Sequence, residues 1–326
     1  MKKRGSVRQI AYVCIILILV LVMLYSGLRI LESTVLHSGT EEQGFKSKTI
    51  TRDGVDYYPR QDITVVMVLG IDQYGPVEES VSYINKGSAD MVQLLVFDET
   101  DQVCSVLYLN RDTMLEMPAL GIGGKQAGTT YGQLALAHTY GSGLEDSCEN
   151  VRQTVSDFLY GLRIDYYVSM NMDAISILND AVGGVTVNVV HDFSQVDPTI
   201  GMGEVTLTGE QAINFVRTRK DVGDQLNLTR IERQKAYIDG FVTAFRAKYE
   251  QDGKFFLSVY EEVSPYLVSD CSAKTIGSLV DRYGGYEISE VVSPEGKNVM
   301  GEEYFEFYAD EDALDELILR LFYAPK

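Results

Sequence analysis

The sequence predicts an α/β protein. Its main domain carries helices on both sides of a central mixed sheet, a three-layer α/β/α arrangement, behind an N-terminal transmembrane helix. Three observations carry this. Apolar, β-branched runs of strand length interleave with segments of helical period along most of the 326 residues. Apolar residues make up 45% and charged residues 23%, the balance of a folded chain rather than a disordered one. One long uncharged apolar run lies at the N-terminus.

That run extends from Ile10 to Leu28. As a helix it covers roughly 28 Å, about one hydrocarbon core. Lys2, Lys3, Arg4 and Arg8 precede it, which places residues 1–9 in the cytoplasm and everything after residue 28 outside. A cleaved signal peptide is the competing reading, but its apolar region would be shorter and no small-x-small cleavage site follows. Residues 29–60 are polar and mixed and suit an extracellular stalk, leaving 61–326 as the extracellular domain. The formal charge of −19 excludes a general nucleic-acid binder, which needs a broad basic surface.

Within the domain, "DITVVMVLGID" is a buried strand stopping at Gly70 and Asp72. "MVQLLVFDE" and "VCSVLYLNRD" are two more, joined by the turn signal "DETDQ" into a hairpin. Cys148, Val151, Val155, Phe158, Leu159 and Leu162 repeat at helical spacing. "DYYVSMNM" reads as a strand, "DAISILNDAVGG" as a helix closed by glycine, and "VTVNVV" as a strand. Thr208 and Gln211 have capping-box spacing, so a helix starts at Gly209. The next helix runs from about Leu228 to Tyr249, with Ile231, Ile238, Phe241, Val242 and Phe245 on its apolar side. "DEDALDELILRLFY" closes the chain with an amphipathic helix. Of four cysteines, Cys14 lies in the anchor and Cys104 in a strand. Cys148 and Cys271 are candidates for a disulfide, which spacing alone does not decide.

Against its acidic background the chain concentrates arginine in "FVRTRKDVGDQLNLTRIERQ", residues 215–234. Arg230, Arg233, Gln234 and Tyr237 share one helix face, Gly223 permits a tight bend, and Asp224 precedes the helix. A solvated face would mix charge signs at i, i+4; this one does not, which favours an anion site. Asp72, Asp90 and the Arg111-Asp112-Thr113 triplet are the other polar clusters, although strand-end aspartates also serve simply as turn formers. Carboxylates with clustered arginines suit a metal-bound diphosphate. "GIGGKQ" fails as a phosphate loop, because Ala119 and Gln126 stand where glycine and Ser or Thr are needed. No nucleophile elbow supports acyl chemistry. His37, His138 and His191 show no ligand spacing, and His138 in "LALAHTYG" reads as a packed helix residue.

The ordered set "LGID", "ADM", "NRDT", "LNDAVGGVTVNV", "LTGEQAINFVRTRK" and "GDQLNLTRIERQ" resembles the LytR-CpsA-Psr family of membrane-anchored bacterial wall enzymes. The resemblance covers roughly residues 62–249, leaving 250–326 as a C-terminal extension. It implies a long apolar pocket for a polyprenyl chain. It also implies transfer of a glycopolymer from a polyprenyl (di)phosphate carrier in the membrane onto peptidoglycan, with Mg2+, or Mn2+, as cofactor. Carried over by position, Asp72 and Asp90 are the metal ligands. Arg111, Arg217, Arg219 and Arg230 grip the diphosphate, with Arg233 and Gln234 completing or supporting that shell. Asp224 is the candidate base. This chain departs from many relatives in having Gln73 and Tyr74 after the first aspartate, and Ser88 before the second, where arginines are common. Hydrolysis of the lipid diphosphate and non-catalytic lipid binding or regulation are the alternative functions.

Overall fold

The structure, a computed structural model, describes residues 49–325 apart from 83, 122–124, 219–221, 224–226, 253–254, 272–274, 276–277, 280–281 and 284. The expected anchor and cytoplasmic tail lie outside these residues, and no helix among the described residues is long and apolar enough to cross a membrane.

In chain order, β1 (Ile50–Arg52) and β2 (Val55–Pro59) lead to β3 (Ile63–Ile71), β4 (Ala89–Asp98) and β5 (Val103–Leu109). A hairpin follows, β6 (Met114–Leu120) and β7 (Gln126–Gln133), then a 3-10 turn at Leu134–Thr139 and α1 (Glu145–Phe158). β8 (Tyr166–Asn171), α2 (Met172–Ala181), β9 (Val185–Val189), β10 (Gly203–Leu207), α3 (Gly209–Arg217) and α4 (Asn227–Gln251) come next. The C-terminal part holds α5 (Phe255–Val263), β11 (Leu267–Ser269), β12 (Glu287–Val292), β13 (Gly296–Met300), β14 (Phe305–Ala309), α6 (Glu311–Phe322) and β15 (Tyr323–Pro325).

The central sheet has six strands in the order β11-β8-β3-β4-β5-β12 and is mixed. β3 runs parallel to β8 and β5 parallel to β12, while the β3–β4, β4–β5 and β8–β11 pairs are antiparallel. β3 shows why its sequence is apolar at nearly every position. Val66 and Val68 enter the core on one face, and Val65, Met67 and Leu69 enter the core on the other. The first core includes Ala174, Leu178, Phe215, Phe241 and Phe245, so α2, α3 and α4 cover that face. The second includes Cys148, Val151, Val155, Leu317, Ile318 and Leu321, so α1 and α6 cover the opposite face.

Local signals explain the helix ends. Thr208 Oγ1 accepts from the Gln211 amide while the Gln211 side chain accepts from the Thr208 amide, the expected capping box. Within α4, Gly240 sits against β9, where a Cβ would come within 2.5 Å of the Thr186 carbonyl. Glycine there lets the helix lie flat on the strand.

Two expectations need correction. Residues 50–59 fall in the segment read as a stalk, yet they form β1 and β2, and β2 pairs with β15. The turn between them is Asp53-Gly54 with φ of 52° and 77°, the Asp-Gly signal of a tight hairpin. Cys148 and Cys271 are free, buried thiols. They belong to the cores on opposite faces of the sheet, which is why no bridge joins them.

His138 is a packed residue on the 3-10 turn, 2% exposed, and its Nδ1 donates to the Gly87 carbonyl at 2.7 Å. Burial lowers its pKa from 6.5 to about 4, against the opposing pull of that hydrogen bond. The folded protein therefore resists a proton that the unfolded chain accepts. The stability from a neutral His138 is full above about pH 6.5 and is lost as pH falls towards 4, amounting to about 3 kcal/mol. We expect thermal melts of wild type to fall more steeply than those of His138→Gln between pH 6.5 and 4. The difference isolates the imidazole from Glu149, Asp165 and Asp270, whose buried carboxyls are pushed up and act in the opposite sense. Parallel pH profiles would refute it.

Candidate active site

β3 ends at Ile71 and delivers Asp72 to the carboxyl end of the sheet, beside the end of the parallel strand β8. The Asp72 amide donates to the Ser88 carbonyl at 2.9 Å, which ties the two aspartate segments together. β4 pairs with β3 in register up to Gly70↔Met91 and then slips to Ile71↔Ala89, leaving Asp90 as the extra residue of a bulge. A bulge re-aims a side chain, and here it presents the carboxylate towards the site. Asp90 Oδ1 accepts from Ser88 Oγ at 2.9 Å and from the Arg111 guanidinium. Arg111 follows β5, with its Nε 3.6 Å from Asp112 Oδ1, and Asp112 is held by Gln133 Nε2 at 3.1 Å. Both side chains of the Asp90–Arg111 pair are largely buried, at 13% and 16% exposure.

Arg217 ends α3 and points back across the site. Its Nη2 lies 3.0 Å from Asp72 Oδ1, its Nη1 is 3.5 Å from the Tyr74 hydroxyl, and its guanidinium carbon is 5.8 Å from the Tyr74 ring centre. Arg230 and Gln234 come from the first turns of α4. Arg230 is buried, and Gln234 Nε2 donates to the Val216 carbonyl at 3.2 Å, fixing α4 to the end of α3. Gly223 adopts φ 63° in the connecting turn, where a Cβ would meet Thr229 Cγ2 at 2.8 Å. The tight bend read from the sequence is therefore present.

Asp90, Arg217, Arg230 and Gln234 line the polar mouth of one cavity. Its remaining walls are mostly apolar and include Val68, Met170, Ile175, Leu178, Tyr237 and Phe241. With its open mouth it encloses about 1050 Å³. It runs between the sheet and helices α2 and α4, with charge at the sheet's carboxyl end and hydrocarbon beyond.

Arg233 is placed differently from its neighbours. It does not line the cavity. Its guanidinium lies 5.2 Å from the Phe193 ring centre and donates to the Thr218 carbonyl, with Nε 3.4 Å from the Thr229 carbonyl. Burial lowers its pKa to about 10. Three residues along a helix leave about 60° between directions, enough to turn Arg233 away from Arg230. It supports the arginine-bearing turn from behind. Arg219 and Asp224 lie outside the described residues.

Three contributors were not legible as site residues. Tyr74 holds Arg217 and Ser88 holds Asp90. Gln93, on β4, is 2% exposed and lines the cavity, and its Nε2 has no hydrogen-bond partner among the described residues. A glutamine inside "MVQLLVF" was the available signal, since an amide is costly in an apolar strand.

Among the described residues no cluster of three or more His, Cys, Asp or Glu could cage an ion. Asp72 and Asp90 bring two carboxylates to the carboxyl end of the sheet. That set fits Mg2+, which takes one or two carboxylates and completes its shell with phosphate oxygens and water.

A profile of the LytR_cpsA_psr family matches residues 25–321. The chain belongs to this family. Among LytR_cpsA_psr relatives, it is 25% identical over 283 residues to the polyisoprenyl-teichoic acid–peptidoglycan teichoic acid transferase TagU of Bacillus licheniformis, covering 84% of this chain and 82% of the relative. The TagU of Bacillus subtilis is 25% identical over 279 residues, with the same coverage. A solved structure described as TagT bound to LI-WTA superposes with a TM-score of 0.60 at 21% identity, over 86% of this chain and 98% of the other. Protein gbs0355 from Streptococcus agalactiae gives 0.64 at 21% identity, over 80% and 86%. These structures establish the fold that LytR_cpsA_psr members share with this chain.

Proposed function

We propose that this protein is a membrane-anchored phosphotransferase that moves a teichoic-acid-like or capsular glycopolymer from a polyprenyl diphosphate carrier onto peptidoglycan. The observation that carries this reading is the amphiphilic cavity: apolar walls that open on Asp90, Arg217, Arg230 and Gln234. That is the negative cast of a long hydrocarbon tail with an anionic head. The names of the TagU relatives support the donor and acceptor classes, and the apolar run Ile10–Leu28 supports an anchor that keeps the cavity at the bilayer where the carrier resides.

The chemistry follows from charge and position. An acceptor hydroxyl attacks the phosphorus next to the glycopolymer, forming a P–O bond as the bond to polyprenyl phosphate breaks. Such a transfer needs neutralised charge and alignment more than covalent help. Arg217 and Arg230 hold the diphosphate at the cavity mouth, and Arg111 reaches the site through Asp90. Mg2+ held by Asp72 and Asp90 would supply positive charge to the phosphate oxygens. Asp224, carried over from the family pattern, takes the proton of the attacking hydroxyl.

The test uses the full-length chain in detergent with Mg2+, a polyprenyl-diphosphate glycan and peptidoglycan fragments. A phosphodiester-linked product is expected; tight lipid binding without product would sink the transferase reading. Filling the cavity with Ile175→Trp should raise KM for the lipid-linked donor about tenfold or more, because the indole takes the space in which the tail would bury its apolar surface. An unchanged KM would show that the tail lies elsewhere.

A further inference from the structure

The β6–β7 and β13–β14 hairpins carry large exposed apolar side chains that the donor cavity does not use: Tyr131, Val299 and Tyr308 on the strands and Tyr304 in the turn, each 41–67% exposed. Such a concentration on a soluble face marks an interaction site.

The face is a built one. Phe307 is buried, its amide donates to the Asp112 carbonyl at 2.8 Å, and it bridges Thr113. Gln133 Nε2 donates both to the Phe305 carbonyl at 2.7 Å and to Asp112 Oδ1 at 3.1 Å. The C-terminal hairpin is thus fastened to the loop that carries Arg111. With Phe307 turned inward, strand alternation turns Tyr308 and Glu306 outward, and their cross-strand partners Lys297 and Val299 share that face. On the neighbouring hairpin Tyr131 stands opposite exposed Glu116. The Tyr308 hydroxyl donates to Glu306 Oε2 at 2.7 Å.

We propose that this face binds the neutral pyranose backbone of the acceptor glycan and so brings its hydroxyl beside Arg111. Sugar rings present C–H faces that pack on aromatic rings, and a rim of hydroxyls that donate to carboxylates such as Glu306 and Glu116. Charge selects against other occupants. Glu116 and Glu306, with Glu302 and Glu303 in the adjoining turn, outnumber Lys297 and Lys125 on these hairpins, so a polyanionic donor polymer or an anionic membrane is repelled. Continuity with Asp112 and Thr113 places the bound glycan next to the phosphate site rather than at a remote surface. The inference rests on the transferase reading for its role, but the binding itself does not.

The probe is chitin oligosaccharides, a neutral β-1,4-linked N-acetylhexosamine backbone without lactyl carboxylates, titrated onto the full-length chain in detergent by calorimetry. Tyr131→Ala/Tyr308→Ala should weaken binding about tenfold or more, and Tyr131→Phe/Tyr308→Phe should restore most of it. Binding of the lipid-linked donor should stay unchanged in both. Equal glycan affinity in wild type and the alanine variant overturns the proposal and leaves the transferase reading intact. Glycan binding lost in the alanine variant while wild type makes no transfer product upholds the face and sinks the transferase reading. If the variants instead alter binding to anionic vesicles and not to glycan, the face is a membrane contact and the proposal fails. Because these rings are exposed, folding should survive. Should the alanine pair not fold, Glu306→Gln must weaken glycan binding, and its failure to do so also overturns the proposal.

Discussion

Arg217→Ala is expected to lower glycopolymer transfer by about two to three orders of magnitude while leaving the thermal melt nearly unchanged. Arg217 is 44% exposed at the end of α3, so its removal opens no cavity in the core. What disappears is a fixed positive charge at the mouth of the apolar cavity, held by Asp72 at 3.0 Å and by the Tyr74 ring. In the proposed function that charge would meet the diphosphate where the leaving group gains negative charge, and a preorganised donor there acts mainly on the transition state. Arg217→Lys should recover only part of the rate, because a single ammonium lacks the planar fork that reaches Asp72 and Tyr74 together. Tyr74→Phe keeps the ring beneath the guanidinium and loses only a long 3.5 Å hydrogen bond, so its effect should stay below about fivefold. Steady-state transfer with the full-length chain checks all three. An Arg217→Ala protein retaining a third or more of wild-type rate would remove this residue from the phosphate shell.

The comparison of sequence and structure divides along physical lines. β3, β4, β5 and β8 were legible because buried strands announce themselves as apolar runs with turn residues at their ends. α3 was legible to the residue through Thr208 and Gln211. The β6–β7 and β13–β14 hairpins were not. Their strands lie largely outside the core, with segments such as "QAGTTYGQ" and "GKNVM" that show no apolar period. β1 and β2 were hidden as well, since β15, which pairs with β2, lies at the far end of the chain. At the site, sequence order alone could list Asp72, Asp90, Arg111, Arg217, Arg230 and Gln234, but not their pairing. That Asp72 meets Arg217 while Asp90 meets Arg111 depends on the bulge in β4 and on the bend at Gly223. Arg233 shows the limit of helical spacing as an argument. A shared face spans more than 60°, and packing against Phe193 decided which side of it the guanidinium took.

Arg111 and Asp90 should behave as one unit, and a double-mutant cycle measures this. Their side chains form an ion pair that is largely buried at the end of β4 and β5. Removing one partner of such a pair leaves the other in a poorly solvated place, which is the costly case. Arg111→Ala and Asp90→Ala should each destabilise the fold by about 2–3 kcal/mol in urea unfolding. The Arg111→Ala/Asp90→Ala double variant should lose clearly less than the sum, with a coupling of at least about 1 kcal/mol. Ser88 tempers the asymmetry. Its hydroxyl still donates to Asp90 at 2.9 Å when Arg111 is gone, whereas Asp90→Ala leaves Arg111 only the 3.6 Å approach to Asp112. Asp90→Ala is therefore expected to be the more destabilising of the two. Catalysis should show a stronger form of the same coupling. Each single change should cost more than about a hundredfold in transfer, and the double variant should be no slower than the worse single, because residues that act as a unit are lost together. Additive effects on both stability and rate would mean that Arg111 and Asp90 serve the site independently, and that the pair seen here is a surface contact rather than the part that positions the diphosphate.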